Sequence, residues 1–253
     1  MTHQFLVASY KPDFQWLRHN LRSLLRFSKG FLPPAVVVPP EDADYAREVV
    51  AQVGYGTVLV KAGPGFGRAQ IVMMSGDLYC PRADYIYLTG SDCMAVKPFG
   101  PEEYWKDGKP LMLWNTWDHL AAHNAPCMFW RAGVEHALGG TSVGEFMRRL
   151  PIVYPKELYP RVRAAIAERH RDFESYVLHS VNHVRNFSES DVMGEYAWRH
   201  MRDVYTWHCL DSEPYHGASA MSQFWSRGGL ERPSDRHGGK LPRDVIIEIL
   251  GSL

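Results

Sequence analysis

The sequence predicts an α/β fold with a mostly parallel sheet that is covered by helices on both faces. In the first third of the chain, short apolar runs alternate with segments of helical periodicity. These apolar runs are continuous and do not alternate with polar residues, which is typical of strands buried on both faces. The chain has 253 residues, of which 45% are hydrophobic and 22% charged, and this composition is that of an ordinary globular protein.

The predicted elements follow each other as strand, helix, strand, helix, strand, helix and strand, an order that favours a Rossmann-like sheet. The first strand covers residues 4–10, and Asp13 is placed to cap the helix that follows it. The pair Pro39-Pro40 opens the second helix, which we expect to end near Gly54. The other strands are predicted at residues 35–38, 57–61 and 85–89, and the third helix at residues 68–78.

The second half of the chain is less regular. Residues 110–114 predict another strand, and the apolar positions of residues 159–176 predict an amphipathic helix. The sequence contains no internal repeat and no low-complexity linker. It therefore predicts a single domain over residues 1–253, with a ligand-binding half at about 1–115 and an irregular α+β half at about 116–253.

Charge and hydropathy exclude several classes of protein. Lysine plus arginine and aspartate plus glutamate each number 28, so the net charge is zero and no global field attracts nucleic acid or anionic lipid. The longest apolar runs, at residues 35–38 and 245–250, are far shorter than the roughly 20 residues of a membrane span. The N-terminus lacks the pattern of a secretory signal peptide. The four cysteines have no CxxC spacing, which predicts free, mostly buried thiols in a cytoplasmic protein.

The segment after the fourth predicted strand carries the clearest chemistry. Ligands of open α/β sheets bind at the carboxyl ends of the strands, and here the chain reads Thr89-Gly90-Ser91-Asp92. A carboxylate at this place suits a hard divalent cation that is shared with a diphosphate, because carboxylate and phosphate both supply oxygen ligands. The segment equally fits a turn in which Asp92 caps its own backbone, and the residues alone leave both interpretations open.

Three segments resemble one protein family. The run YLTGSDCMAVKPF at residues 87–99 is similar to the metal-binding DxD segment of GT-A-fold glycosyltransferases, as it occurs in a group of small bacterial and phage members. The runs VASYKPDFQWLRHNLRSL, at residues 7–24, and FSESDVMGEY, at residues 187–196, resemble the same group in the same order. The resemblance implies a GT-A-like fold in which the first half binds a nucleotide-sugar and the second half binds the acceptor.

The resemblance also implies a donor site and a metal. The donor-binding residues expected from it are Ala8, Ser9, Tyr10, Asp13, Arg68, Gln70, Ser91 and Asp92. The expected metal is Mn²⁺ or Mg²⁺, with Asp92 and a C-terminal histidine as ligands, His216 in preference to His208 or His237. Gly90 stands where the family has the first aspartate of DxD, and the loss of one carboxylate weakens the expected metal affinity.

Inverting sugar transfer needs a carboxylate that takes the proton of the acceptor hydroxyl. The candidates are Glu189 and Asp191, and Glu189 is preferred because it aligns with a Ser-Glu pair of the family. Ser188 and Asp191 also have the spacing of a helix capping box, which is compatible with the catalytic role.

The function expected from the resemblance is transfer of a hexosyl or pentosyl group from a nucleoside diphosphate sugar, UDP-linked by expectation, to a hydroxyl acceptor. A saccharide acceptor is expected first. A hydroxymethylated base in DNA is a second candidate acceptor, suggested by a basic C-terminal stretch with Trp225, Arg227, Arg232, Arg236, Lys240 and Arg243. Two rival functions are a related nucleotide-sugar-processing enzyme and a nucleotide-sugar-binding protein without catalysis, of which Gly90 favours the second.

Overall fold

The fold is taken from a computed structural model that describes residues 1–63, 65–180, 187–217, 219–224, 229–231 and 238–251. The strands of this part are β1 (His3–Ala8), β2 (Leu32–Val38), β3 (Thr57–Val60), β4 (Tyr85–Gly90), β5 (Cys93–Ala95), β6 (Trp105–Lys106), β7 (Lys109–Thr116), β8 (Gly144–Glu145), β9 (Ile152–Pro155), β10 (Thr206–Cys209) and β11 (Met221–Gln223). The α-helices are α1 (Phe14–Phe27), α2 (Ala43–Val53), α3 (Gly65–Met73), α4 (Gly76–Tyr79), α5 (Trp117–Ala122), α6 (Trp130–Leu138), α7 (Leu158–His170), α8 (Phe173–His179), α9 (Glu189–His200) and α10 (Pro242–Leu250).

The central sheet confirms the predicted α/β class with a mostly parallel sheet. It has five strands in the order β3-β2-β1-β4-β9. The four strands β3, β2, β1 and β4 pair in parallel, whereas β9 pairs with β4 in the antiparallel direction. This arrangement is compatible with a Rossmann-like fold. Its strand order changes direction at β1. In open α/β sheets the ligand-binding crevice lies at the carboxyl ends of the strands at such a point, here β1 and β4.

Continuous burial of the central strands explains their continuous apolar sequence. Phe5, Leu6 and Val7 of β1 have no exposed surface. On one face, β1 and β2 pack against α1 and α2 through Val7 and Val36. On the other face, Leu6 belongs to a large core cluster that includes residues of α3, α7 and α9. The helices therefore cover both faces of the sheet, as the sequence predicts.

The second half of the chain adds smaller sheets around this core. Strand β7 confirms the strand predicted at residues 110–114, and it pairs in parallel with β10 and antiparallel with β6 and β8. Strand β11 pairs with β5 in the antiparallel direction, which brings a C-terminal segment next to the region that follows β4. None of the helices in the described part of the chain has the length and apolarity of a membrane span.

Three local predictions are wrong in detail. The helix predicted at residues 159–176 is divided into α7 and α8, because Arg171 has a φ of 71° and the Asp172 carboxylate caps α8 by accepting from the Ser175 backbone N at 2.7 Å. The helix predicted at residues 68–78 ends at Met73, and α4 follows it. Asp13 occupies the N-cap position of α1, but its side chain makes no capping hydrogen bond.

Candidate functional site

The carboxyl ends of β1 and β4 lie side by side and bring several predicted site residues together. Ala8 of β1 pairs directly with Gly90 of β4. The Ser91 hydroxyl donates to Oδ2 of Asp13 across the gap at 3.5 Å. The Asp13 carboxylate is therefore directed towards the end of β4 instead of towards the first turn of α1. This contact joins two of the segments on which the family resemblance depends.

Asn20 fixes the end of β4, and the sequence analysis missed it. This side chain is fully buried in α1, and its Nδ2 donates to the backbone oxygens of Gly90 at 3.3 Å and Cys93 at 2.5 Å. The turn that carries Ser91 and Asp92 is thereby held from both sides. The signal in the sequence is a single asparagine in α1, and no motif marks it.

Gly90 leaves the space that the Asp92 carboxylate occupies. A Cβ atom at position 90 would lie 2.7 Å from Oδ1 of Asp92, too close for an unchanged side chain. Asp92 is half-buried, and its backbone oxygen accepts from the Phe224 backbone N at 2.8 Å. The residue that departs from the family pattern thus has a local packing reason, because a larger residue at position 90 requires the Asp92 side chain to rotate.

The oxygen atoms at this place suit a cation that is shared with a ligand. The described residues contain no group of three or more His, Cys, Asp or Glu side chains arranged to hold a metal ion. Mg²⁺ is commonly bound by one or two carboxylates together with substrate phosphates, and Asp92 at the end of β4 fits that mode. His216 is exposed, and the antiparallel pairing of β11 with β5 places Phe224 beside Asp92. The assignment of His216 stays a prediction.

Arg68 supplies a buried positive charge beside the end of β1. Only 3% of its surface is exposed, and its Nη2 donates to the Ser9 backbone oxygen at 2.9 Å. The Nη1 atom of Arg68 and the Oγ atom of Ser9 are buried and have no hydrogen-bond partner in the described part of the chain. Buried polar atoms are normally hydrogen-bonded, so a ligand or a water molecule completes the hydrogen bonding of these two atoms.

Acidic residues after β2 act electrostatically on Arg68. Burial lowers the pKa of Arg68, and the negative charges of Asp42 and Glu41 act in the opposite direction. The Asp42 carboxylate accepts from the Lys11 backbone N at 2.8 Å, so it also holds the segment that follows β1. The sequence analysis missed Asp42, although an acid at the end of a parallel strand is a signal that could have found it.

Gln70 connects α3 to the predicted catalytic segment. This buried side chain accepts through Oε1 from the Glu189 backbone N at 3.1 Å. Glu189 is half-buried at the first position of α9, and its Oε1 accepts from the Ser190 hydroxyl at 3.1 Å. Burial raises the pKa of Glu189 above the usual range. The structure therefore links Arg68, Gln70 and Glu189 in one continuous region.

Asp191 has a structural role that distinguishes it from Glu189. It is completely buried, and its Oδ1 accepts from the Phe146 backbone N at 2.8 Å. Its Oδ2 has no partner among the described residues, and burial raises the pKa of Asp191 to about 7. Ser188 accepts from the Asp191 backbone N at 3.3 Å, which confirms the cap. The capping box is incomplete, since the Asp191 carboxylate binds Phe146.

The remaining predicted site residues have fewer contacts that bear on a binding site. Tyr10 is exposed next to the end of β1, and Ala8 is half-buried. His208 forms a hydrogen bond through Nε2 with the Glu213 backbone oxygen at 2.8 Å. The predictions for Trp225, Arg227, Arg232, Arg236 and His237 concern positions outside the described residues.

Comparison with known proteins gives no match to a protein family and no match to a curated protein. The resemblance to GT-A glycosyltransferases therefore stays an expectation that rests on three short segments. The contacts at the ends of β1 and β4 are an observation that does not depend on this resemblance.

Proposed function

We propose that the chain is a glycosyltransferase that moves a sugar from a nucleoside diphosphate sugar to a hydroxyl acceptor. The expected donor is a UDP-sugar, and the transfer is expected to invert the configuration at the anomeric carbon. The observation that carries the proposal is the crevice at the ends of β1 and β4, where the strand order changes direction. Residues of all three family-like segments meet there or next to it. Ser91 contacts Asp13, and Gln70 joins the same edge to Glu189.

The donor is proposed to bind around Ser9 and Arg68. The unsatisfied Ser9 Oγ offers a hydrogen bond, and the unsatisfied Nη1 of Arg68 offers a charged donor to an anionic or carbonyl oxygen. Tyr10 is exposed at the same strand end and offers an aromatic face to a base or ribose. A buried guanidinium with an unpaired donor favours an anionic ligand over a neutral sugar.

Glu189 is proposed as the general base. Its carboxylate takes the acceptor hydroxyl proton while the acceptor oxygen forms a bond to the anomeric carbon. The bond from that carbon to the diphosphate oxygen breaks, and the nucleoside diphosphate leaves with the electron pair. The raised pKa of Glu189 brings its proton affinity closer to neutral pH, which improves a general base. The Ser190 hydroxyl donates to this carboxylate, and the Gln70 side chain accepts from the Glu189 backbone N and so fixes the start of α9.

Asp92 is the residue proposed to hold Mn²⁺ or Mg²⁺ together with the donor. Such a cation neutralises charge on the leaving diphosphate when it is bound. Arg68 adds a positive charge at the end of the neighbouring strand β1. This charge is present whether or not a metal is bound.

The acceptor is proposed to be a saccharide or another small hydroxyl compound. In the basic C-terminal stretch, Lys240 pairs with Glu248 at 2.7 Å, and Arg243 pairs with Glu231 at 2.8 Å. These two cations are therefore already neutralised by carboxylates, and the described part of the stretch gives no specific support to a DNA base as acceptor.

Donor turnover tests the proposal. Purified protein is incubated with a panel of nucleotide-sugars and Mn²⁺, and release of the nucleoside diphosphate is measured beside the thermal midpoint with each donor. We expect one donor to raise the midpoint, because a ligand that binds only the folded state stabilises it, and the same donor to be hydrolysed slowly. Binding without turnover, with or without acceptors, would instead support a binding protein that has lost catalysis. No shift with any nucleotide-sugar contradicts the proposal.

A further inference from the structure

A basic cavity of about 560 Å³ lies on the outer face of α1, away from the crevice described above. Its walls are the C-terminal ends of α2 and α10. Its lining residues are Arg18, Arg22, Leu25, Arg26, Gln52, Val53 and Leu250. Three of them are arginines, and none of the described residues that line the cavity is acidic.

The three arginines form a row along α1. They are spaced four residues apart, so each lies about 6 Å of helix rise from the next and on a similar side of the helix. Helix α1 contains no aspartate or glutamate. Lys29 is exposed two residues beyond the end of the helix and extends the basic surface. A chain of zero net charge therefore concentrates cations on one helix.

Two further observations describe the surroundings of this row. The Nε atom of Arg18 is buried and has no hydrogen-bond partner among the described residues. Burial lowers the pKa of the neighbouring His19 to about 4, and the positive charges of Arg22 and Arg18 act in the same direction. Glu248 of α10 adds little negative charge to the cavity, because Lys240 binds it at 2.7 Å.

We propose that this cavity binds the phosphodiester backbone of a single nucleic-acid strand. Guanidinium groups bind phosphate oxygens through paired hydrogen bonds, and a row of them suits phosphates that repeat along a strand. The row is longer than the phosphate group of a nucleoside triphosphate, which favours a strand over a small oligophosphate. Leu25 is 51% exposed between Arg22 and Arg26 and offers an apolar contact to a base.

The proposed strand site is separate from the proposed donor site. Asn20 of the same helix faces the end of β4, whereas the three arginines line the outer cavity. The inference therefore depends on neither glycosyl transfer nor the identity of the acceptor. Failure of donor turnover leaves it intact, and failure of strand binding leaves the glycosyltransferase proposal intact.

Fluorescence anisotropy with a labelled thymidine oligonucleotide of about 16 nucleotides tests the inference. Three phosphate contacts on a single strand predict that log K falls with log salt with a slope of about −2. The variant Arg18→Gln/Arg22→Gln/Arg26→Gln is expected to bind about tenfold more weakly or worse, with a slope close to zero. Its far-UV circular dichroism and melting temperature establish that it is folded.

Matched variants separate the cavity from the overall charge. Arg82→Gln/Lys109→Gln/Arg161→Gln removes three exposed cations elsewhere and is expected to bind the oligonucleotide as the unchanged protein does. Arg18→Lys/Arg22→Lys/Arg26→Lys keeps the charge and is expected to keep most of the salt slope. The inference is overturned by absence of binding at about 50 mM salt, by an equal loss in the matched triple variant, or by equally tight binding of tripolyphosphate or polyglutamate at the same concentration of charge.

Discussion

Glu189 and Asp191 are two residues apart, and their surroundings give them different tasks. Glu189 is half-buried at the start of α9, whereas Asp191 is fully buried against the Phe146 backbone N. Glu189→Gln keeps the shape of the side chain and removes its ability to accept a proton. We expect it to reduce kcat by about 10²-fold or more with little change in donor Kd. Single-turnover kinetics and donor titration measure the two quantities separately.

The pH dependence of the unchanged protein gives a second measure of Glu189. Because burial raises the pKa of this carboxyl, we expect kcat to fall as the pH drops through a range above that of an ordinary glutamate. If Asp191→Asn causes a large loss of kcat and Glu189→Gln only a minor one, the general base is Asp191 and not Glu189.

The protonation of Asp191 is expected to make the free energy of unfolding depend on pH. Its pKa is about 7 in the folded chain against 3.8 as the ordinary value, so the folded state binds the proton more tightly. The protonated form of this group is favoured by folding, so its contribution to the free energy of unfolding decreases as the pH rises from about 4 to 7. Asp191→Asn has no such proton. Urea unfolding at several pH values should show the slope in the unchanged protein and a flatter profile in the variant, and parallel profiles contradict the assignment.

Asp92 is the residue at which metal dependence is tested. Asp92→Ala is expected to abolish the stimulation of donor binding or turnover by Mn²⁺ and to leave the fold intact, because the side chain is only half-buried at a strand end. Donor titrations with and without a chelator measure the effect. If the chelator changes neither protein and both have equal activity, Asp92 holds no functional metal.

The rule that ligands bind at strand ends located Asp92, and the family resemblance supplied the other candidate residues. Particular residues illustrate the limits of both. Ser9 and Ser91 follow strands in the sequence, so their meeting at one edge was predictable once the strands were parallel. Asn20 and Asp42 were not predicted, because each acts through backbone groups of a distant segment. The capping role of Asp13 was predicted wrongly, since a cap position in the sequence does not say where the carboxylate points.

Helix α9 illustrates how packing sets the sequence of an element. A Cβ at Gly194 would lie 2.4 to 2.7 Å from atoms of the Phe146 ring and its Cβ, so the helix approaches that residue as closely as a glycine allows. In a free helix, Gly→Ala stabilises by about 1 kcal/mol. At this contact the clash is expected to outweigh that gain and to destabilise the protein by about 1–3 kcal/mol.

A double-mutant cycle measures the Gly194 contact. Thermal or urea unfolding is followed for Gly194→Ala, Phe146→Ala and the double variant. Alanine at position 146 removes the Cγ and Cδ2 atoms, two of the three atoms that the added Cβ would meet, so the double variant should be more stable than the sum of the two single effects predicts. A Gly194→Ala protein that is more stable than the unchanged chain contradicts the close contact.

The strand and helix alternation of the first third was predictable because each strand is buried on both faces and reads as a continuous apolar run. The division between α7 and α8 was not, because the apolar positions continue across it. It arises from the positive φ of Arg171 and from the capping of Ser175 by Asp172. The order of the strands in the central sheet could not be predicted from the sequence pattern either, since it depends on which strands pair in space.

The whole molecule has a core that joins its two halves. The largest core cluster contains Leu6 and Ile86 from the first half together with Phe146 and Val192 from the second. If residues 1–115 were separated from the rest, this face of the sheet would be exposed. We therefore expect the chain to unfold in a single cooperative transition, and buried thiols offer a way to observe it.

Cys80 and Cys93 report on two different clusters of that core. Cys80 is buried in the large cluster and Cys93 in the cluster around Phe5, and burial raises the pKa of Cys80 to about 12. Neither thiol should react with a thiol reagent in the folded protein, because the thiolate is the reactive form. In a Cys127→Ser/Cys209→Ser background, which removes the two half-buried thiols, both should become reactive at the urea concentration where the far-UV circular dichroism is lost. If one of them reacts in a separate, earlier transition, the two clusters unfold independently and the chain is not one cooperative unit.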